Sequence, residues 1–344
     1  MSYQSTYLNI DIQEYSVVFA MDWSFSTNSM LAYKFKDSKK IKQKEVPSEI
    51  KSLKNYFTQF KGKKLIVFEE TTGAHWLYVE LLKIFDRIVI CDPYRNSLLK
   101  EGPKTDKIDA FKLLQLLINN SLKEIYHKDS EIYGLRRFMS GYRDLIKATV
   151  RLKNQIAALK RGEGIKRNAK SYTPSDKLGS FVYKQQQSLL ERYEQQKSAY
   201  EAKMREMIRK YPIAKNLLDI SGIGIVFALI IYSTIVDGSR FKNKYKLYGY
   251  SGLALYPRDS GKMIKGKRYS HYNPLMKWVY KSAAQAAIGG KNDIHDYYIY
   301  LLGKGHSESH ARNEIARYIC RVSLAMIKHG SKYQAYSWRG RFMN

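Results

Sequence analysis

Four acidic residues have the types and spacing to bind a metal ion. Asp22 lies in the apolar run Ser16–Trp23, Glu70 ends a second apolar run, and Asp106 and Asp109 open a helical pattern. Because Asp106 and Asp109 are three residues apart, a helix places both on one face. Four clustered carboxylates repel one another unless a divalent cation lies among them, and hard oxygen ligands suit Mg²⁺ or Mn²⁺. The pattern predicts metal-dependent cleavage of phosphodiesters.

Each of these carboxylates taken alone is read more simply as a helix cap or a solvated side chain. For Asp22 the metal-ligand interpretation is favoured, because this residue lies in a strand that should be buried, where an unpaired carboxylate is costly. Glu69 precedes Glu70 and alternates to the other face of its strand, so only one of the two can be the ligand.

The charge of the chain indicates a polyanionic partner. Lys and Arg total 60 against 31 Asp and Glu in 344 residues, which gives a formal net charge of +29, and 29 Tyr are interleaved with them. Such an excess is typical of nucleic-acid-binding proteins, and a basic surface without a ligand is the alternative.

Cysteine content and hydropathy predict a cytosolic protein without a membrane partner. Cys91 and Cys320 are the only cysteines, too few for a disulfide framework or a zinc finger. The N-terminus lacks the layout of a signal peptide. The stretch Ile220–Val236 carries no charge, but its Gly, Ser and Thr residues favour a buried turn and core helix over a membrane span.

Residues 15–118 are predicted to be mixed α/β, in the order of an RNase H-like fold: three strands in a meander, then alternating helices and strands. The predicted strands are Ser16–Trp23, Met30–Phe35, Lys39–Val46, Lys64–Glu69 and Arg87–Cys91. The predicted helices are Glu49–Phe60, Ala74–Phe85 and Asp106–Asn119.

The remainder of the chain is predicted to be helical. Apolar residues from Leu135 to Leu159 recur at alternating steps of three and four, and a second amphipathic run leads up to Pro212. This pattern predicts two long helices of a coiled-coil arm. The arm is either a helical hairpin that serves only as a spacer, or it mediates dimerisation or contact with nucleic acid. We therefore expect an RNase H-like domain over 1–125, a coiled-coil insertion over 126–212 and a mostly helical domain over 213–344.

Two segments of the last domain contain further candidate sites. The string from Asp219 to Gly224 is compatible with a helix-hairpin-helix turn that binds a phosphate and equally with an ordinary tight turn. Then comes the densest polar loop, from Tyr256 to His271. Helices are predicted after it at 273–288, 292–303 and 306–328.

These residues carry a resemblance to a known family. The strings Met21-Asp-Trp-Ser24, Glu70-Thr-Thr-Gly73 and Lys104-Thr-Asp-Lys-Ile-Asp-Ala110 resemble the DEDD signature of the insertion-sequence "one-ten" transposases and the Piv-type DNA invertases. The family has an N-terminal domain similar to the RuvC resolvase. The stretch Leu217–Gly224 and the residues that follow it resemble the family's second domain. The family's Glu-Ala-Thr-Gly is Glu-Thr-Thr-Gly here, which assigns the ligand role to Glu70.

The resemblance implies RNA-guided recombination. Such enzymes bind a structured bridge RNA whose loops pair with donor and target DNA, and they are expected to assemble as dimers or tetramers. A serine in the second domain attacks the scissile phosphate, with the metal-bound DEDD cluster beside it, and Ser260 matches that serine by position. Ser251 is a competitor in a setting that suits a packed turn. The basic residues that flank Ser260 bind phosphates or form a solvated loop: Arg258, Lys262, Lys265, Lys267 and Arg268.

Three other functions compete with this one. A RuvC-like nuclease would hydrolyse branched DNA with a metal-bound water and would need no serine, and a protein-only invertase would need no RNA. An RNA-binding protein that keeps the fold without turnover is the non-enzymatic alternative, and the presence of all four carboxylates argues against it.

Overall fold

Five strands form one mixed sheet in the computed structural model of the chain. The strands are β1 (Val17–Asp22), β2 (Asn28–Phe35), β3 (Lys42–Pro47), β4 (Lys64–Glu69) and β5 (Arg87–Cys91). Their spatial order is β3-β2-β1-β4-β5, with β1 antiparallel to β2 and parallel to β4. This is the order expected of an RNase H-like domain, so the α/β prediction for this region is confirmed.

The structure describes residues 8–25, 27–93, 105–128, 131–166, 169, 171–260, 263–268 and 271–341, and for 256–260, 263–268 and 341 it describes the backbone. The chain forms two units, residues 1–129 (the first unit) and 130–344 (the second unit). The helical residues 131–212 belong to the second unit, and the boundaries of the three expected domains stay a prediction.

Helices cover both faces of the sheet in the first unit. They are α1 (Ile50–Thr58), α2 (Ala74–Leu81) and α3 (Asp106–Ile118). Leucines of α3 pack against β1 residues such as Val18 and Ala20, whereas α1 and α2 pack against Phe19 and Met21 on the other face. The alternation follows from the two-residue period of a strand. Apolar side chains on both faces make the central strands continuous apolar runs.

Two long helices open the second unit. They are α4 (Ile132–Gly162) and α5 (Lys177–Lys210), and they contact each other. Most heptad positions of α4 are buried, among them Leu135, Tyr142 and Leu152, whereas Phe138 and Leu159 are half-buried. In α5 burial is confined to Met204 and Ile208 near its end. The two predicted helices are confirmed, whereas the coiled coil stays a prediction.

The rest of the second unit is a helical core with one small sheet. Its elements are α6 (Pro212–Asn216), α7 (Ile225–Ile235), α8 (Lys244–Tyr250), β6 (Tyr256–Ser260), β7 (Met263–Arg268), α9 (Pro274–Ile288), α10 (Asp293–Gly303) and α11 (Glu308–His329). The uncharged stretch Ile220–Val236 supplies α7, whose residues Ala228, Leu229 and Ile231 are fully buried in this core. Across the described residues, no helix combines the length and the apolar character that crossing a membrane requires.

The predicted polar loop contains a β-hairpin. Strands β6 and β7 pair antiparallel from Tyr256 opposite Arg268 to Ser260 opposite Met263, with a register shift between Pro257 and Asp259. We call residues 256–268 the serine hairpin. Pro257 and Asp259 are residue types that strands disfavour, so the strand pattern of this segment is weak.

Candidate functional site

Asp22 and Glu70 lie at the same edge of the sheet. Strands β1 and β4 are parallel neighbours, with Met21 opposite Phe68. Asp22 is the last residue of β1, and Glu70 directly follows β4. Because neighbouring strands are about 4.8 Å apart, the backbones at these two positions are close. We call this end of the sheet the carboxylate edge.

Helix α3, which begins at Asp106, packs against the strand that ends at Asp22. It contacts β1, β2 and β4. The side chain of Asn120, just past the end of α3, exchanges hydrogen bonds of 2.9 and 3.0 Å with the backbone of Ile10, which precedes β1. A position of Asp106 and Asp109 at the carboxylate edge beside Asp22 stays a prediction.

The sequence fixes the start of α3 locally. Thr105 is the N-cap, and its hydroxyl accepts a hydrogen bond from the Ile108 backbone N–H at 3.3 Å. The side-chain amide of Gln43 donates to the Lys107 carbonyl at 2.7 Å and ties this turn to β3. An N-cap Thr and acidic residues in the first turn are the usual start of a helix.

Asp109 has a buried oxygen without a hydrogen bond. Asp106 is exposed and Asp109 half-buried. The Oδ1 atom of Asp109 is shielded from solvent and has no hydrogen-bond partner among the residues that the structure describes. Burying a carboxylate oxygen without a partner is costly, and a divalent cation supplies the missing ligand. This carboxylate oxygen thus fits a hard metal ion.

Glu70 makes a close contact that the sequence did not predict. Its Oε2 atom lies 2.6 Å from Nε2 of His127, whose side chain is 2% exposed. The imidazole also packs against the rings of His75 and Tyr78 on α2, at 5.8 and 5.9 Å between centroids. His127 is 57 residues from Glu70 along the chain, so no local pattern could have indicated the pair. Hydrogen bonds of this kind orient carboxylates that bind metals.

The two neighbouring glutamates differ in their surroundings. Strand alternation places Glu69 on the face of Val67, which packs against α3, and Asp22 on the same face as Ala20. Glu70 lies one residue past the strand, and its backbone N–H still donates to the Cys91 carbonyl at 2.9 Å. The Glu-Thr-Thr-Gly string favours Glu70 as the ligand, whereas strand alternation favours Glu69.

The four predicted ligands do not form a closed cluster. Within the described ranges, no three side chains of His, Cys, Asp or Glu come close enough together to hold an ion. The structure brings Asp22 and Glu70 to one end of the sheet, and it engages the carboxylate of Glu70 with His127. The assignment of all four as ligands stays a prediction.

Ser260 is the last residue of β6, and its backbone pairs with Met263. Its side chain lies outside the described part of the chain, as do those of Arg258, Lys265, Lys267 and Arg268, and Lys262 lies outside it entirely. The nucleophile and phosphate-binding roles therefore stay predictions.

Hydrogen bonds close the base of the serine hairpin. The backbone N–H of Asn273 donates to the Tyr250 carbonyl at 2.7 Å, and the Asn273 amide donates to the Tyr250 hydroxyl at 2.9 Å. Arg317 Nε also donates to the carbonyl of Leu253, which precedes the hairpin, at 2.8 Å. The residues just before and just after the hairpin are thereby joined.

Ser251 lies in the core of the second unit. It is fully buried near Cys320, Tyr280 and Ser323, and burial raises the pKa of the Cys320 thiol far above its usual value. A hydroxyl in this position cannot reach a DNA backbone. The packed-turn interpretation of Ser251 agrees with this burial.

Gly222 has a packing role in the turn before α7. Its φ is +87°, and a Cβ atom there would lie 2.1 Å from the carbonyl oxygen of Ala283 on α9. Only glycine allows this backbone conformation together with such a close approach. The close packing explains the glycine without a phosphate.

Both units match families of transposases. A family model described as "Transposase IS116/IS110/IS902 family" matches residues 214–299. A second model, for the DEDD transposase of IS110 elements and described as "Transposase", matches residues 19–161 and so includes Asp22, Glu70, Asp106 and Asp109.

Two curated relatives are proteins of insertion elements. The uncharacterized 43.6 kDa protein of insertion element IS110 from Streptomyces coelicolor is 26% identical over 142 residues, 41% of this chain and 35% of that protein. The uncharacterized 44.8 kDa protein of insertion element IS116 from Streptomyces clavuligerus is 29% identical over 126 residues, 36% of this chain and 32% of that protein. The aligned part thus spans about a third of each relative.

Proposed function

Since the chain belongs to the IS110 family of transposases, we propose that it cuts and rejoins donor and target DNA under the direction of a structured RNA. One observation carries the proposal: the Asp109 Oδ1 atom, in the first turn of the helix that packs against β1, is buried without a hydrogen bond in the described part of the chain. We propose that this turn shares the carboxylate edge with Asp22. This is an arrangement for cation-assisted chemistry on phosphates.

The proposed metal ligands are Asp22, Glu70, Asp106 and Asp109, with Mg²⁺ as the ion and Mn²⁺ as its substitute. When bound, the ion neutralises charge that develops on phosphate oxygens. The chain supplies rigid support: β1 and β4 hold Asp22 and Glu70, and α3 holds the two aspartates. His127 orients the Glu70 carboxylate through its hydrogen bond.

Ser260 is the proposed nucleophile. Its Oγ atom forms a bond to phosphorus while one phosphorus–oxygen bond of the DNA strand breaks. The serine gives up its proton, and the departing sugar oxygen takes up a proton and becomes a hydroxyl. A serine hydroxyl is a weak nucleophile and needs a base or a cation to activate it. The burial of Ser251 argues against this residue as the nucleophile and so supports Ser260.

The basic residues around Ser260 are proposed to hold phosphates of the DNA or RNA: Arg258, Lys262, Lys265, Lys267 and Arg268. A net charge of +29 supports a large polyanionic partner, because each neutralised phosphate releases counterions. We further propose that the long helices α4 and α5 form a coiled-coil arm and that the protein acts in the cytoplasm as a dimer or tetramer.

A covalent protein–DNA adduct tests the nucleophile. Protein, Mg²⁺, the RNA transcribed from the flanks of its element and DNA carrying the element ends are mixed and resolved on a denaturing gel. We expect a slow DNA band that protease removes, that EDTA prevents, and that Ser260→Ala loses while Ser251→Ala keeps. If Ser251→Ala loses the band instead, the nucleophile is Ser251. Cleavage without any adduct would establish hydrolysis by a RuvC-like nuclease.

The RNA is tested by its removal. Protein produced with its native flanking DNA should co-purify with one discrete transcript. Recombination should stop after RNase treatment and return when that transcript is added. Because phosphates dominate binding of a structured RNA, its affinity should fall steeply with salt. Recombination that continues after complete removal of RNA would refute guidance and leave a protein-only invertase.

A further inference from the structure

Three aromatic side chains form an exposed group beside the carboxylate edge. Trp23 directly follows Asp22, and its ring centroid lies 5.4 Å from that of Phe25 and 6.0 Å from that of Trp76 on α2. Phe25 is 87% exposed and Trp76 is 45% exposed. We call Trp23, Phe25 and Trp76 the aromatic platform. Large aromatic residues are usually buried, so adjacent exposed ones indicate a binding surface.

The position of the Trp23 ring is fixed by its close packing against Gly73. The ring lies so close to Gly73 that a Cβ atom on this residue would be 2.5 Å from Trp23 Cζ3. Gly73 is the last residue of the Glu-Thr-Thr-Gly string and the N-cap of α2. Trp23 also packs against the core beneath α1 and α2. One side of the platform is thereby fixed, while Phe25 and Trp76 stay exposed.

The platform and the proposed metal ligands occupy the same end of the sheet. Asp22 and Trp23 are consecutive, so their Cα atoms are about 3.8 Å apart. Glu70 and Gly73 likewise belong to one short segment between β4 and α2. A phosphate bound at the carboxylates therefore brings the base of its own or the next nucleotide to the aromatic rings.

We infer that the aromatic platform stacks an unpaired base of the DNA strand next to the phosphate that is cut. Every base has an aromatic face, so stacking on Trp and Phe needs no particular sequence and is worth about 1–3 kcal/mol per base. The stacked base fixes the position of the strand and so determines which phosphate meets the carboxylates. The inference rests on the proposed function, because it takes the carboxylate edge as the place of cleavage.

Fluorescence of 2-aminopurine tests the platform. The probes are short DNAs of one sequence with a single 2-aminopurine, either as a single strand or as an intact duplex, and a single-stranded RNA of the same sequence. All are bound to full-length Asp22→Asn protein, which should not cut them. We expect the fluorescence of 2-aminopurine to be quenched when the single-stranded DNA binds. The affinity for this DNA should fall on the order of ten-fold in Trp76→Ala and in Phe25→Ala. Trp76→Phe should retain most of the affinity.

Matched controls separate stacking from general binding. Val79→Ala removes another exposed apolar side chain of α2 and should leave the probe affinity unchanged. The intact duplex should bind Trp76→Ala and the parent equally, because its bases stack on each other. Equal binding of single-stranded DNA by Trp76→Ala, Phe25→Ala and the parent would overturn the platform. Loss confined to the RNA probe would overturn the assignment to DNA.

The adduct assay distinguishes the failure of this inference from that of the proposed function. If Ser260 forms its adduct but the platform variants bind single-stranded DNA normally, the proposed function stands and the platform falls. If platform variants lose quenching while no adduct or cleavage appears with the parent, the proposed function falls and the rings are a contact for single strands alone.

Discussion

At the scale of single residues, the buried oxygen of Asp109 connects stability with the proposed metal binding. An acceptor without a partner costs about 1–3 kcal/mol, and the cost is higher for a charged group. We therefore expect the chain to give up stability at Asp109 when no ion is bound. Stored instability of this kind is typical of functional sites.

Asp109→Asn should reveal this coupling. In EDTA the variant should be at least as stable as the parent, because a charge has left a half-buried position. In Mg²⁺ the parent should gain melting temperature and the variant should not, because binding to the native state stabilises it. Thermal unfolding with and without the ion is the measurement.

Asp296→Asn is the control for this prediction. Asp296 also lies in the first turn of a helix, α10, but in the second unit. It should show the same gain from Mg²⁺ as the parent. An equal gain in Asp109→Asn would contradict a role for Asp109 in metal binding.

The neighbouring glutamates offer a second prediction at this scale. Glu70→Gln keeps the size of the side chain and removes its charge. We expect cleavage to fall at least on the order of 100-fold, because loss of a ligand should cost no less than loss of an outer-shell partner. Glu69→Gln should cleave at nearly the rate of the parent. The rate of adduct formation with saturating DNA measures both. The opposite result would assign the ligand role to Glu69, the residue that strand alternation favours.

At the scale of elements, the turn before α7 is held by the contact of Gly222 with α9. Gly222→Ala introduces a Cβ atom at a φ of +87°, against backbone atoms of Ala283 and Ala287 that cannot move independently of their helix. Strain of this type costs about 1–3 kcal/mol before the clash is counted. We expect at least that loss in the free energy of unfolding, measured by urea denaturation.

Gly224→Ala is the matched variant for this test. Gly224 has a φ of −92°, and no atom lies within 4 Å of a Cβ atom built there. The substitution should change the free energy of unfolding by less than about 1 kcal/mol. Similar losses in the two variants would mean that the turn itself, and not the contact with α9, requires glycine.

Elements that bury apolar runs were predictable from the sequence, and the serine hairpin, which backbone pairing holds, was not. Strand Lys64–Glu69 has the predicted limits because an apolar run lies between polar residues. The serine hairpin was expected as a loop, since Pro257 and Asp259 disfavour strands and its pairing comes from main-chain hydrogen bonds. The contact between His127 and Glu70 depends on the tertiary fold alone.

At the scale of the whole molecule, the two units divide the proposed chemistry. The four acidic residues lie in the first unit and Ser260 lies in the second. The first unit has two hydrophobic clusters of its own, one on each face of its sheet. Independent cores favour independent folding.

Residues 1–129 expressed alone should therefore unfold in one cooperative transition. Circular dichroism during heating tests this, and addition of Mg²⁺ should raise the midpoint. The fragment should form no covalent adduct with DNA, because it lacks Ser260. A fragment without a cooperative transition would show that the first unit needs the rest of the chain, and an adduct would place the nucleophile within residues 1–129.

The bonds that join Tyr250 to Asn273 fix the distance between the two ends of the serine hairpin. What lies between those ends is therefore free to change in length and sequence while the surrounding helices keep their packing. Selection on the segment that is proposed to meet nucleic acid can then proceed separately from selection on stability. Exchange of this hairpin between related proteins should transfer its nucleic-acid preferences as an independent module.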